Sequence, residues 1–114
     1  MLNKVMLIGR LTKNPEVRYT PTEKVACAFT LAVSKDYKNA DGTRDADFIP
    51  VITWGKTAEM CGNALQKGTR ILVEGRISVR NYDDNDGNRH WMTEVVAENI
   101  RFLDPKPADK PADK

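Results

Sequence analysis

The pattern that most limits how this chain can fold runs from Val25 to Val33. Val25, Cys27, Phe29, Leu31 and Val33 take the odd positions, and Ala26, Ala28, Thr30 and Ala32 take the even ones. Side chains of a strand alternate between its two faces, so this segment is a strand with one bulky apolar face and one face of small groups. A helix would scatter the same residues around its circumference. With 114 residues, the chain has enough material for one packed domain built on that strand and too little for two separate cores.

Other segments fall into place around it. Val5, Met6, Leu7 and Ile8, within residues 3–10, read as a mostly buried strand ended by Gly9 and the turn pair Asn14-Pro15. Glu16 to Tyr19 forms a short strand before Pro21. The polar stretch from Ser34 to Asp47, with Asn39-Ala40-Asp41-Gly42 inside it, is expected to be a long exposed loop. From Asp47 to Trp54 the alternation returns, with Phe48, Pro50, Ile52 and Trp54 on one face and Ile49, Val51 and Thr53 on the other. Pro50 has no N–H to give to a ladder, which predicts an edge, a bulge or a kink. Thr57 to Gln66 sets Ala58, Cys61 and Leu65 at helical spacing, with Thr57 as cap and Lys67-Gly68 as stop. Arg70 to Tyr82 is a long strand whose odd face (Ile71, Val73, Gly75, Ile77, Val79) is expected in the core and whose even face is wet. His90 to Phe102 returns across the turn cluster 83–89, making a hairpin longer than the barrel it belongs to. The fold expected is all-β with one short helix, a five-stranded OB-fold barrel in which the helix follows the third main strand and the last two strands form the long hairpin.

After Leu103 the composition changes. Residues 104–114 carry a tandem Pro-Ala-Asp-Lys repeat and nothing apolar larger than alanine, so residues 1–103 are taken as the domain and 104–114 as a disordered tail. No window approaches the roughly 18 uncharged apolar residues of a membrane span, and the start of the chain is too interrupted for a signal peptide. A soluble, cytoplasmic protein with no membrane contact is expected. The two cysteines, Cys27 and Cys61, lie on apolar faces and are expected as buried reduced thiols.

A formal charge of +2 does not by itself argue for a nucleic-acid partner, so the distribution of residues must carry that case. A site for unpaired strands needs flat π-faces for bases and cations for phosphates. Phe48 and Trp54 share a strand face, with Lys56 close behind; Tyr82 shares its face with Arg76 and Arg80; Tyr37 stands in the loop between Lys35 and Lys38. Most strand aromatics are ordinary core residues, and Phe48 and Trp54 are open to that reading, although Ile49 and Val51 already supply an apolar face. Trp91 falls by register on the odd face of the hairpin, which suggests hairpin packing or a subunit contact.

These residues carry a resemblance to the bacterial single-stranded DNA-binding protein family over residues 1–103. It rests on Asn3-Lys4-Val5, Gly9-Arg10-Leu11, the run from Asn14 to Tyr19, Trp54-Gly55-Lys56, Lys67-Gly68, Val73-Glu74-Gly75 and Thr93-Glu94-Val95-Val96. The resemblance implies a homotetramer of OB-folds that single-stranded DNA wraps, with stacking aromatics at Tyr37, Phe48, Trp54 and Tyr82. It implies basic contacts at Lys4, Lys56, Lys67, Arg76 and Arg80, to which the loop lysines Lys35 and Lys38 are added here. Ser78 and Pro50 stand where a cation is often found, which lowers the expected affinity. The family's tail usually closes on an acidic tip that recruits replication and repair enzymes. This chain closes on Pro-Ala-Asp-Lys, expected to be a solubilising end.

Enzymatic readings find little support. In 83–87 a calcium loop would need carboxylates where Tyr82 and Thr93 stand, and in 62–68 the lysine precedes the second glycine, against the order of a phosphate loop. One histidine and no Cys pair at ligand spacing support neither a zinc site nor a Cys-His nucleophile, so no metal or cofactor is expected. The competing function is a protein-interaction module of the primosome type, for which Phe48 and Trp54 would matter little.

Overall fold

The computed structural model describes residues 1–104; of the expected tail, residues 104–114, Asp104 is described and bonded to Arg70 and Arg10, and the rest lies outside the described residues. Its elements are β1 (Val5–Leu11), β2 (Glu16–Tyr19), β3 (Val25–Ser34), β4 (Ala46–Trp54), α1 (Gly55–Ala64), β5 (Arg70–Asp83) and β6 (Arg89–Phe102). In the sheet order β1-β5-β6-β4-β3-β2, a further pairing of β1 with β3 closes a ring of β1, β5, β6, β4 and β3, with β2 appended to β3. The closure has one parallel seam, Val51 beside Val95 and Ile52 beside Val96, and one short antiparallel seam, Arg10 beside Ala32 and Leu11 beside Leu31.

The alternation of β3 is realised as read. Val25, Cys27, Phe29 and Leu31 are buried, and they meet Leu11, Val51, Ile71, Val73, Val95, Ala97 and Ile100 inside the barrel. A fully buried leucine in such a core is worth about 2–5 kcal/mol against alanine. Ala58 and Cys61 of α1, with Leu65 just beyond it, join the same cluster. Both cysteines are buried and free, and burial pushes the Cys61 thiol up to about 12.

Close backbone crossings explain two glycines. A side chain on Gly9 would strike the Ala32 carbonyl where β1 crosses β3, and one on Gly75 would strike the Val96 carbonyl. The β5–β6 register also shifts between Glu74 and Gly75. There the hairpin bends away from the barrel.

That bend corrects one expectation. The odd face of β5 is core only as far as Gly75; Ile77 and Val79 are exposed, because beyond the bend nothing among the described residues packs over them. The helix departs too: it opens at Gly55, whose φ of +65° turns the chain directly out of β4, so Thr57 is its third residue and not its cap. Gly68 stops nothing helical and instead sits at φ +87° in a turn closed by Thr69 N–H to the Gln66 carbonyl. Pro50 needs no bulge. The carbonyl of its partner Thr30 is taken from the other side by Thr12 N–H, so Thr30 and Pro50 form a non-hydrogen-bonded pair and the missing N–H faces the β6 side, where pairing starts only at Val51.

Candidate nucleic-acid interface

The outer face of β3 and β4 is built from unequal partners. Across the pair, Trp54 stands beside Ala26, Ile52 beside Ala28, Pro50 beside Thr30 and Phe48 beside Ala32. Small groups on β3 leave the large rings of β4 unshielded. Phe48 is 67% exposed and Trp54 45%, which decides against the core reading for both. The inward positions of β4 are filled by Ile49, Val51 and Thr53. Six residues of strand separate the two rings, about 20 Å.

Between the rings lies an open groove of about 480 Å³. Ala26, Ala28, Thr30, Pro50 and Ile52 line its floor; Lys13 and Arg18 stand on one side, and Arg80, Met92 and Glu94 of the hairpin on the other. At the Trp54 end, Lys24 and Lys56 flank the indole in a second hollow. At the Phe48 end the β3–β4 loop is an ordered turn and not slack chain: Asn39 N–H donates to the Thr43 carbonyl, and the Asp41 carboxylate accepts from both the N–H and the hydroxyl of Thr43, which holds its carboxyl below the usual range. Tyr37 is exposed in that loop, and Tyr82 is half-exposed on the groove side of the hairpin.

The cations divide by whether a carboxylate already holds them. Lys38, Lys56 and Lys67 have no ion-pair partner among the described residues, and Lys67 is placed near the groove by its N–H bond to the Asn14 side chain. Lys35 is bonded to Asp47 at 2.6 Å, a contact that raises its pKa. Arg80 Nε lies 3.3 Å from Glu94, a carboxylate with only 10% of its side chain exposed, and Arg76 makes a loose 3.9 Å contact with Glu98. Of the expected phosphate contacts only Arg80 lines the groove, and Lys56 lines the second hollow. Lys4 lies outside both, on the β1 side, 3.8 Å from Glu74.

Three features were missed in reading the chain. Arg18 enters the groove because β2 presents Glu16 and Arg18 on the side opposite Val17, an alternation visible in the four residues of that strand. Tyr19 is exposed on the side of β2 that Val17 turns toward α1, away from the groove. His90 stacks on Tyr82, which the hairpin register that placed Trp91 would have given.

A closed OB-fold barrel with exposed aromatics interleaved with cations on one outer face defines the class of this protein. Residues 2–103 match the model of the Single-strand binding protein family, and the chain belongs to that family. It is 56% identical over 106 residues to a single-stranded DNA-binding protein of Caldanaerobacter subterraneus subsp. tengcongensis, covering 93% of this chain and 71% of the relative. It is 52% identical to single-stranded DNA-binding protein 2 of Listeria monocytogenes, with 93% and 66% covered, and 50% identical to single-stranded DNA-binding protein A of Bacillus subtilis, with 93% and 62% covered. The chain thus spans about two thirds of the length of these relatives. Among the described residues no three His, Cys, Asp or Glu side chains gather as a metal site, and no helix is long and apolar enough to cross a membrane.

Proposed function

We propose that this chain coats single-stranded DNA without regard to sequence, in replication, recombination and repair, through its barrel and hairpin, residues 1–103. Bases stack on Tyr37, Phe48, Trp54 and Tyr82, while Lys35, Lys38, Lys56, Lys67, Arg76 and Arg80 neutralise phosphates. The observation that carries this reading is the exposure of Phe48 and Trp54 on a strand whose other face already fills the core. Large rings held in water over a floor of small residues cost solvation unless something flat covers them. Stacked bases do so, at roughly 1–3 kcal/mol each in single-strand binders, the class for which that range was established.

The protein acts by binding and not by catalysis. We infer further that it works as a homotetramer. β1 is hydrogen-bonded to β5 from Val5 to Arg10 but meets β3 only at Arg10 and Leu11, so most of its other edge is open, and Met6 and Ile8 beside that edge are exposed. Sedimentation of the chain at micromolar concentration should give a single species of four copies.

Fluorescence anisotropy with labelled oligo-dT, single-stranded and as a duplex, tests the binding. Tight association with the single strand that weakens as salt rises, and little with the duplex, is expected. Equal affinity for both forms, or none for either, would hand the protein to the interaction-module reading.

A further inference from the structure

At the tip of the β5–β6 hairpin the chain's one histidine meets a proposed stacking ring. The register sets His90 opposite Tyr82, and their rings stack with centroids 5.4 Å apart and planes 25° apart. The imidazole is tethered on its other side, Nε2 lying 2.6 Å from Asp84 Oδ2. That carboxylate is itself fixed by the turn, since its Oδ1 accepts the N–H groups of Asp86 and Asn88, each at 2.9 Å. An ionised carboxylate can only accept, so Nε2 donates in this contact; the bond to His90 first, and then the backbone N–H groups, hold the Asp84 carboxyl below its usual range. Turn, carboxylate, imidazole and phenol ring form one continuous series of contacts.

Two consequences follow. With the imidazole on one face, Tyr82 has only the other face for a base, and its ring is oriented before DNA arrives, which lowers the ordering cost of binding. A second proton on Nδ1 would make the imidazole a cation over the Tyr82 ring, where an incoming phosphate would meet it. The other charged groups around it are the neighbouring Asp83–Arg89 pair, at 3.4 Å, and, along the same hairpin face, Arg80 held by Glu94.

We propose that His90 is a positioning residue for Tyr82 and that single-stranded DNA binding is coupled to its protonation, affinity rising as pH falls through the range in which histidines charge. The proposal rests on the coating function above. Kd for oligo-dT, measured at about pH 8 and about pH 6 at constant ionic strength, tests it, because histidine charges between about pH 5 and 8.

The intact chain should bind severalfold tighter at the lower pH, with a log–log salt slope steeper by up to about 0.7, one further phosphate neutralised. His90→Phe keeps a ring behind Tyr82 and should match the intact chain at the higher pH while showing no gain at the lower one. His90→Ala should be weaker at both, by about fivefold, the low end for a stacked base. Melting curves verify that the variants fold. A pH response in His90→Phe equal to that of the intact chain, or intact-chain affinity in His90→Ala, would overturn the proposal. Trp54→Ala in the same series separates the two claims. If it loses affinity while His90→Phe keeps the pH response, only the histidine coupling fails; if neither substitution matters, the coating function fails with it.

Discussion

Two parts of this molecule leave large side chains in water, and they do so differently. On the outer face of β3–β4 and the adjoining side of the hairpin, Tyr37, Phe48, Trp54 and Tyr82 alternate with lysines and arginines over a floor of alanine, threonine and proline. On the opposite side of the same hairpin, Ile77, Val79 and Trp91 lie together with Asn81 and Thr93 between them, and Arg89, which adjoins Trp91 on that face, is paired with Asp83 at 3.4 Å. Exposure alone therefore does not mark the DNA side, since Trp91, at 66%, is more exposed than Trp54. What separates the faces is the neighbour: a groove lined by Lys13, Arg18 and Arg80 suits a charged strand with flat bases, whereas an aliphatic patch whose adjoining Arg89 is already paired suits another protein surface.

Removing rings from the first face should have the largest effect. Phe48→Ala and Trp54→Ala should each cost about 1–3 kcal/mol of binding, between roughly fivefold and roughly 150-fold in Kd. The sites are about 20 Å apart, so the double variant should show the sum. Anisotropy titration measures both, and a double variant within twofold of the intact chain would erase the distinction between the faces. Lys56→Ala comes next, because its ammonium has no ion-pair partner to release among the described residues. The slope of log Kd against log salt should become shallower by about 0.7, while Lys4→Ala, on the β1 side outside the groove, should leave it unchanged.

The smallest effect belongs to the end of the barrel where the described chain stops. Asp104 accepts Arg70 N–H at 3.0 Å and meets Arg10 at 3.2 Å; the Arg70 N–H bond above all, and the two guanidinium charges, hold its carboxyl below the usual range. A carboxyl lowered in the folded state adds stability above its unfolded pKa and loses it as pH falls through the folded value. Asp104→Asn should melt slightly earlier at neutral pH, converge with the intact chain well below about pH 4, and bind oligo-dT normally. A change in affinity would mean that this end of the barrel takes part in binding.

Much of this was legible in the chain because strand period and side-chain size are local. The odd and even positions of β3 foretold both the core and the small-residue face, and Ile49 and Val51 on the other side of β4 gave the reason to weigh a second reading against the core one for Phe48 and Trp54. What was not legible depends on partners distant in sequence. Nothing near Lys4 announces Glu74, and nothing in the run from Ile71 to Val79 says that the barrel ends at Gly75, where a side chain would strike the Val96 carbonyl. The start of α1 was misplaced because a threonine looks like a cap, whereas Gly55 at positive φ makes the turn. The stack of His90 on Tyr82 emerges only when the hairpin register is applied to both faces.

The two tryptophans stand one on each face, and that makes the central claim directly measurable. In Trp91→Phe the emission comes from Trp54 alone, and in Trp54→Phe from Trp91 alone. Titration with oligo-dT at low salt should quench Trp54 strongly and reversibly with salt while leaving Trp91 emission nearly unchanged. Strong quenching of Trp91 with a silent Trp54 would contradict the account and move the DNA to the other side of the hairpin.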